Sequence, residues 1–344
     1  MAYVNRPGTS EAAYEVTTAE IAEDIERTHA GHKQLAAFLR LAGTVGVHTR
    51  RFVRPLAEVA RAETFRQRND ATYASVCDLG QRAARQALTR AGIVPRDIGT
   101  LITFHATGLA IPGLDTYLVN TLGLRPTVQR IPMSQLACAG GAHALGLAAQ
   151  FARPGSPVLV VGAEALSAVY QADDDTLPAM IYKLLFGDGG AAAVVSSEPL
   201  AEPGLHIEDS WSYVHPQSEH YYRLRADGAG YHFDSTKDAV DAVTQVLPQL
   251  RWLHQPSWQP EFGVVHPGSL KILKLVAAGG GCSEKALRHS ISSLREDGNT
   301  GGPAVLRVLE RVHADPPPRG STGLLFGVGP GFCAAASRTV WAGS

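Results

Sequence analysis

The chain has 344 residues, of which 45% are hydrophobic, and a formal net charge of −1 at pH 7. That length holds two domains or one large double-lobed one, and the composition is that of an ordinary soluble globular protein. A balance so near neutrality gives no electrostatic reason to expect nucleic acid or an anionic membrane as partner. No run approaches the ~18 apolar residues of a transmembrane helix, and the polar, acidic residues 1–16 contain no apolar core of a secretory signal. Four cysteines, at Cys77, Cys138, Cys282 and Cys333, lack metal-ligand spacing. A chain of this size does not depend on disulfides, so reduced thiols in a cytoplasm are expected.

In chain order, residues 18–42 read as helical, with Thr18 placed to cap and Ile21, Ile25, Leu35, Phe38 and Leu41 supplying apolar faces. Residues 46–55, with Arg50, Arg51 and Arg54, read as a basic strand or loop, expected as a solvated charged edge. A helix is predicted over 71–91 and a buried strand over 97–107, where β-rich apolar residues run continuously. Another helix follows over 115–122, and residues 128–136 lead into Cys138. Residues 156–164 read as a strand buried on both faces, and 186–196 as a glycine-rich turn feeding one more. The Pro-containing stretch 198–203 marks an expected boundary, giving halves 1–200 and 201–344. Beyond it the programme repeats: helix 238–250, strand 262–267 ending at His266, helices 270–278 and 304–312, and a glycine-rich approach, 323–331, to a final strand. Alternation of this kind predicts layered α/β architecture with largely buried sheets.

The chemistry concentrates at three positions. Cys138 sits where an extended segment meets a helical pattern, so helix N–H groups and the dipole are expected to favour its thiolate. Ala139, Gly140 and Gly141 leave the sulfur open to close approach. His266 closes a buried strand, at the kind of strand end where α/β sites gather. Asn299 lies in the turn Asp297-Gly-Asn-Thr-Gly-Gly302 before a helix. Cys–His pairing lowers a thiol pKa, and an amide beside the ring stabilises a developing oxyanion or enolate. Cys, His and Asn in this order also occur in papain-like proteases, but Leu136-Ala-Cys138-Ala-Gly-Gly lies mid-chain and lacks their signature. No Gly-x-Gly-x-x-Gly precedes a helix and no Walker lysine exists, so phosphate cradling is not expected, and no residue cluster suggests a metal.

Five motifs in order and register, Gln135-Leu-Ala-Cys138-Ala-Gly-Gly, Leu185-Phe186-Gly-Asp-Gly189, Val265-His266-Pro-Gly268, Gly298-Asn299 and Gly327-Val-Gly-Pro-Gly331, carry a resemblance over essentially the whole chain. The sequence resembles the type III polyketide synthases, the chalcone synthase-like branch of the thiolase superfamily, and is most similar to bacterial, tetrahydroxynaphthalene synthase-type members. The resemblance implies a thiolase fold: two similar halves forming a five-layered αβαβα core. It implies a homodimer that condenses malonyl-CoA iteratively onto an acyl-CoA starter and releases a cyclised pyrone or phenol with no bound cofactor beyond the CoA of its substrates. Cys138 would hold the chain as a thioester, His266 would keep the thiolate ionised, and His266 with Asn299 would stabilise the enolate left by decarboxylation. Phe186 and Phe233 would stand as gatekeepers. Tyr231, Leu166 and Val169 would line the cavity, the last two making it more apolar, and Gly301 would leave extra room beside Asn299. Arg40 would lie near the CoA phosphates, although Thr44 replaces a neighbouring family lysine, and Ile111 would reach across the dimer. A ketoacyl synthase III-like enzyme performing one condensation, or an acyltransferase, is the alternative, though the usual His-Gln-Ala-Asn segment is absent. A non-catalytic binding protein of the same fold is the alternative outside enzymology.

Overall fold

The computed structural model describes residues 2–343. Its frame is a sheet whose strands run, in spatial order, Phe262–Val265, Thr322–Gly329, Cys333–Trp341, Pro203–Val214, Ala2–Asn5, Asp188–Ser196, Val158–Ala165, Thr100–Phe104 and Gln129–Met133. Gly8–Glu11 adds a further strand beside Asp188–Ser196. Thr100–Phe104 lies parallel to both its neighbours, and Phe262–Val265 lies parallel to Thr322–Gly329. The long pairings around the middle are antiparallel.

Strand residues alternate faces, and the alternation here sorts side chains into three apolar layers. Leu101, Leu159, Val161, Ala192 and Val194 pack outward against the helices Phe65–Ala91 and Leu114–Leu122. Their neighbours Ile102, Val158, Val160, Ala193 and Val195 face inward, onto the helices Gly140–Phe151 and Ala304–Ala314. Phe262, Val264 and Leu325 from the C-terminal half meet the same two helices from the other side. Val265, Leu324 and Phe326 turn away, toward Asp238–Val246 and Leu270–Gly279. Helix, sheet, helix, sheet, helix: the order gives five layers, with two helices buried at the centre.

Several boundaries differ from the sequence reading for identifiable reasons. Residues 18–42 form two helices, Thr18–Thr28 and Leu35–Ala42, separated by a turn in which Gly31 takes φ +85. The cap is Thr17, not Thr18: its side chain accepts from the Glu20 amide at 3.1 Å while the Glu20 carboxylate accepts from the Thr17 amide at 2.7 Å, a reciprocal capping box. The helix predicted over 238–250 ends at Val246 and continues as short 3₁₀ turns. The charged hairpin Tyr222–Ala226 and Tyr231–Ser235 was not anticipated. The basic segment is not a solvated edge. Thr49–Phe52 pairs with Tyr14–Thr17, and period-two alternation turns Arg50 and Phe52 fully inward. Among the described residues, no helix is long and apolar enough to cross a membrane.

Candidate active site

Cys138 stands in a 3₁₀ turn, Ala137–Ala139, between the strand Gln129–Met133 and the central helix Gly140–Phe151. The residue before it, Ala137, has φ +41. A non-glycine residue in that region stores on the order of 1–3 kcal/mol, which surrounding packing must hold. That packing is close. A Cβ on Gly141 would stand 2.2 Å from the Gly302 carbonyl oxygen, and one on Gly329 2.8 Å from both the Ala139 nitrogen and the Leu136 oxygen. Only glycine lets these three backbone segments meet around the thiol.

His266 extends the buried strand Phe262–Val265, its amide donating to the Phe326 carbonyl at 2.8 Å. Its ring is buried, and Nδ1 has no hydrogen-bond partner. Asn299 is held from both sides. Its amide donates to the Leu185 carbonyl at 2.8 Å, and its carbonyl accepts from the Gly187 amide at 3.1 Å. Its side-chain Oδ1 accepts from the Gly301 amide at 2.8 Å and Nδ2 donates to the Gly268 carbonyl at 3.4 Å; the carboxamide also lowers the pKa of the Cys138 thiol.

All three side chains line one cavity of about 250 Å³, together with Phe186, Phe233 and Tyr182. The three aromatic rings interlock: Phe186 and Phe233 meet edge to face at 5.3 Å, and Tyr182 stacks on Phe186 at 4.8 Å. The lining also includes the polar residues Ser235, Thr236, Lys237 and Ser269. Ser269 caps the helix Leu270–Gly279, accepting from the Ile272 amide at 3.2 Å.

The electrostatics correct one expectation. Cys138 is partly exposed at the cavity, yet desolvation, and next the nearby Glu164 carboxylate, push its thiol up to about 12, while the Asn299 side chain acts in the opposite direction. Burial likewise pulls the His266 imidazole down to about 4. Desolvation disfavours charging either group alone. Both line the same cavity, so opposite charges on sulfur and ring would stand within one site.

Other anticipated positions fall outside this cavity wall. Leu166, Val169 and Tyr231 are buried in the apolar cluster that includes Phe186 and Phe233. Gly301 opens no room: with φ +68, a Cβ there would lie 3.1 Å from Glu164 Cγ and 3.3 Å from Leu166 Cδ1, so the neighbouring space is filled. Arg40 is exposed on the helix Leu35–Ala42. Ile111 is 98% exposed beside a separate groove of about 890 Å³. Among the residues that escaped the sequence reading are Tyr182, Tyr222 and Lys237 at the cavity and Glu164 beside Cys138. Tyr182 adds the third ring. Glu164, at the end of a strand buried throughout, accepts from the Ala106 and Thr107 amides at 2.8 and 3.1 Å and from the Thr107 hydroxyl at 2.8 Å. Burial nevertheless raises its carboxyl to about 7.

A five-layered fold with a cysteine, histidine and asparagine at one apolar cavity defines a thiolase-fold condensing acyltransferase. Residues 49–199 match the family "Chalcone and stilbene synthases, N-terminal domain". The chain is 32% identical to phloroglucinol synthase of Pseudomonas fluorescens over 335 residues, covering 95% of this chain and 96% of that one. It is 32% identical to 1,3,6,8-tetrahydroxynaphthalene synthase of Streptomyces coelicolor over 348 residues, covering 99% and 92%. The crystal structure of that synthase superposes with a TM-score of 0.94 at 31% identity, over 99% of this chain and 100% of the other. Germicidin synthase from Streptomyces coelicolor superposes with a TM-score of 0.93 at 31% identity, covering 99% of each chain. The chain belongs to the type III polyketide synthase family.

Proposed function

We propose that Cys138 accepts the starter acyl group from an acyl-CoA and that malonyl-CoA supplies each extension. The observation that carries this reading is the convergence of Cys138, His266 and Asn299 on a single aromatic-walled cavity. The Cys138 thiolate attacks the thioester carbonyl, and CoA leaves as a thiol with the proton taken from His266. Malonyl-CoA then loses CO2, and the enolate oxygen is held by the Asn299 N–H and the His266 ring. The enolate carbon attacks the Cys138 thioester, a carbon–carbon bond forms, and the sulfur leaves, ready to take up the lengthened chain. Nothing in this cycle needs a bound cofactor beyond the CoA of the substrates.

Phe186 and Phe233 exclude water from the thioester between steps. Leu166, Val169 and Tyr231 fill the far side of the same apolar cluster, which favours a small cyclised pyrone or phenol. Arg40 serves the CoA phosphates from outside the cavity. Exposure of Ile111 and Leu109, at 98% and 70%, beside the large groove supports a second copy as their cover, hence a homodimer. The half 1–200 supplies the nucleophile and the half 201–344 the histidine and asparagine of one cytoplasmic enzyme. A panel of acyl-CoA starters with malonyl-CoA, read by product mass, tests the reading: products should contain starter plus malonyl-derived units, and plain acyl transfer without them would overturn it.

A further inference from the structure

Arg50 is a fully buried cation that the chemistry described so far does not use. Its Nη2 donates to the Leu184 carbonyl and, at 2.9 Å, to the Thr18 hydroxyl, while Nε and Nη1 have no hydrogen-bond partner among the described residues. Burial pulls its pKa down to about 10, so it remains charged at neutral pH. Leu184 lies in the last turn of the helix Leu177–Leu185, whose C-cap is Phe186. The guanidinium is therefore a cap supplied from another strand, with its charge set against the negative end of a helix dipole.

The same side chain also touches the far side of the joint. A Cβ on Gly187 would lie 3.0 Å from Arg50 Cβ, and one on Gly298 3.4 Å from it. These two glycines directly flank Phe186 and Asn299, whose backbones are bridged in parallel through Leu185, Gly187 and Asn299. The root of Arg50 thus rests against both strands of the bridge while its tip fixes the helix end that feeds it.

We infer that Arg50 is a positioning residue for condensation: it holds the Phe186–Asn299 bridge, and through it sets where the Asn299 carboxamide and the Phe186 ring stand in the cavity. The inference rests on the proposed role of Asn299 toward the enolate. Decarboxylation of malonyl-CoA by the full-length enzyme tests it, alongside Asn299→Ala, which checks that role independently. Arg50→Met removes the cap and keeps much of the apolar stem. Its kcat should fall on the order of tenfold to a hundredfold, the scale of a sub-ångström to ångström misplacement, with KM for malonyl-CoA within about twofold. Iodoacetamide labelling of Cys138 should keep its rate, because the thiol is held by other segments. Arg50→Lys, still cationic, should recover part of kcat. Unchanged kcat in folded Arg50→Met, or parallel losses in kcat, KM and labelling, overturns the inference. Should Arg50→Met fail to fold, Arg50→Lys decides: a lowered kcat at constant KM supports positioning, and wild-type kcat refutes it. Loss of effect in Asn299→Ala would instead fall on the proposed role of that residue.

Discussion

The amide of Asn299 donates to the Leu185 carbonyl at 2.8 Å, one residue before Phe186, so two residues that line the cavity are parts of one backbone unit. The backbones that carry the Phe186 ring and the Asn299 carboxamide are bridged in parallel. Consequences for each member of the site can be drawn from the surroundings that hold it.

Removing the sulfur separates two half-reactions. Cys138→Ala should abolish acyl loading and all product, yet leave malonyl-CoA decarboxylation measurable, since His266 and Asn299 remain in place. Release of CO2 and of acetyl-CoA gives the readout; full product formation by this variant would refute the assignment of Cys138 as nucleophile.

In the proposed mechanism, His266 is the group whose charge compensates a thiolate at Cys138. His266→Gln should therefore slow iodoacetamide alkylation of Cys138 between about pH 6 and 8 by tenfold or more, because an unpaired thiolate must pay the full desolvation cost. The rate should recover only as pH climbs toward the thiol's own raised value, about 12. An unchanged alkylation profile would show that the ring does not stabilise the anion.

Asn299→Ala removes the N–H aimed at developing negative charge. Loss of one such donor typically costs 10²–10³ in kcat, roughly 3–4 kcal/mol. Decarboxylation and condensation should fall by the same factor, while Cys138 remains alkylatable.

Glu164 has a folded pKa, about 7, above its ordinary 4.5. The folded state binds this proton more tightly than the unfolded state, so folding takes up a proton between these values. Stability is then lost as pH rises from about 4.5 to about 7 and levels off above, by a total on the order of 3 kcal/mol. Glu164→Gln should flatten that slope, whatever its offset from exchanging an acceptor for a donor. Urea midpoints of both proteins from pH 4.5 to 8 check it, and parallel curves would contradict it.

Tyr231 adds ring volume to the cluster behind the gatekeepers, and its hydroxyl accepts from the Leu109 amide at 3.2 Å and hydrogen-bonds Asn69. Tyr231→Phe keeps the volume and should leave product mass unchanged, at a cost of about 1 kcal/mol for the lost hydroxyl. Tyr231→Ala should cost roughly 3–5 kcal/mol in stability and shift products toward longer chains. Identical product spectra from the two variants would show that this ring does not bound the cavity.

What could be read directly from sequence was chemistry with a local signature. Cys138 stood out because its neighbours are small and a helix pattern begins beside it, and the buried strands because apolar β-formers run unbroken through them. The five motifs carried the family and its layered fold. Features set by distant parts of the chain were not legible. Arg50 looked solvated until pairing with Tyr14–Thr17 fixed which face it turns inward. The hairpin bearing Tyr231 and Phe233 was hidden by Arg223, Arg225, Asp227 and Asp234, whose charges mask strand alternation; Arg225 and Asp234 in fact pair across it at 2.6 Å. Dipole arguments favour a thiolate at Cys138, whereas the desolvation and the Glu164 carboxylate that raise its pKa come from segments brought in by the fold. Likewise Gly301 read as vacant space, whereas Glu164 and Leu166 occupy it from another strand.

The most direct measurement is mass spectrometry of the intact enzyme, its Cys138 peptide and its products after incubation with a starter acyl-CoA and ¹³C-labelled malonyl-CoA. The acyl mass should appear on the peptide carrying Cys138, and label should enter a cyclised product as repeated decarboxylated units. A product free of label, or acyl adducts absent from Cys138 while product still forms, would contradict the account.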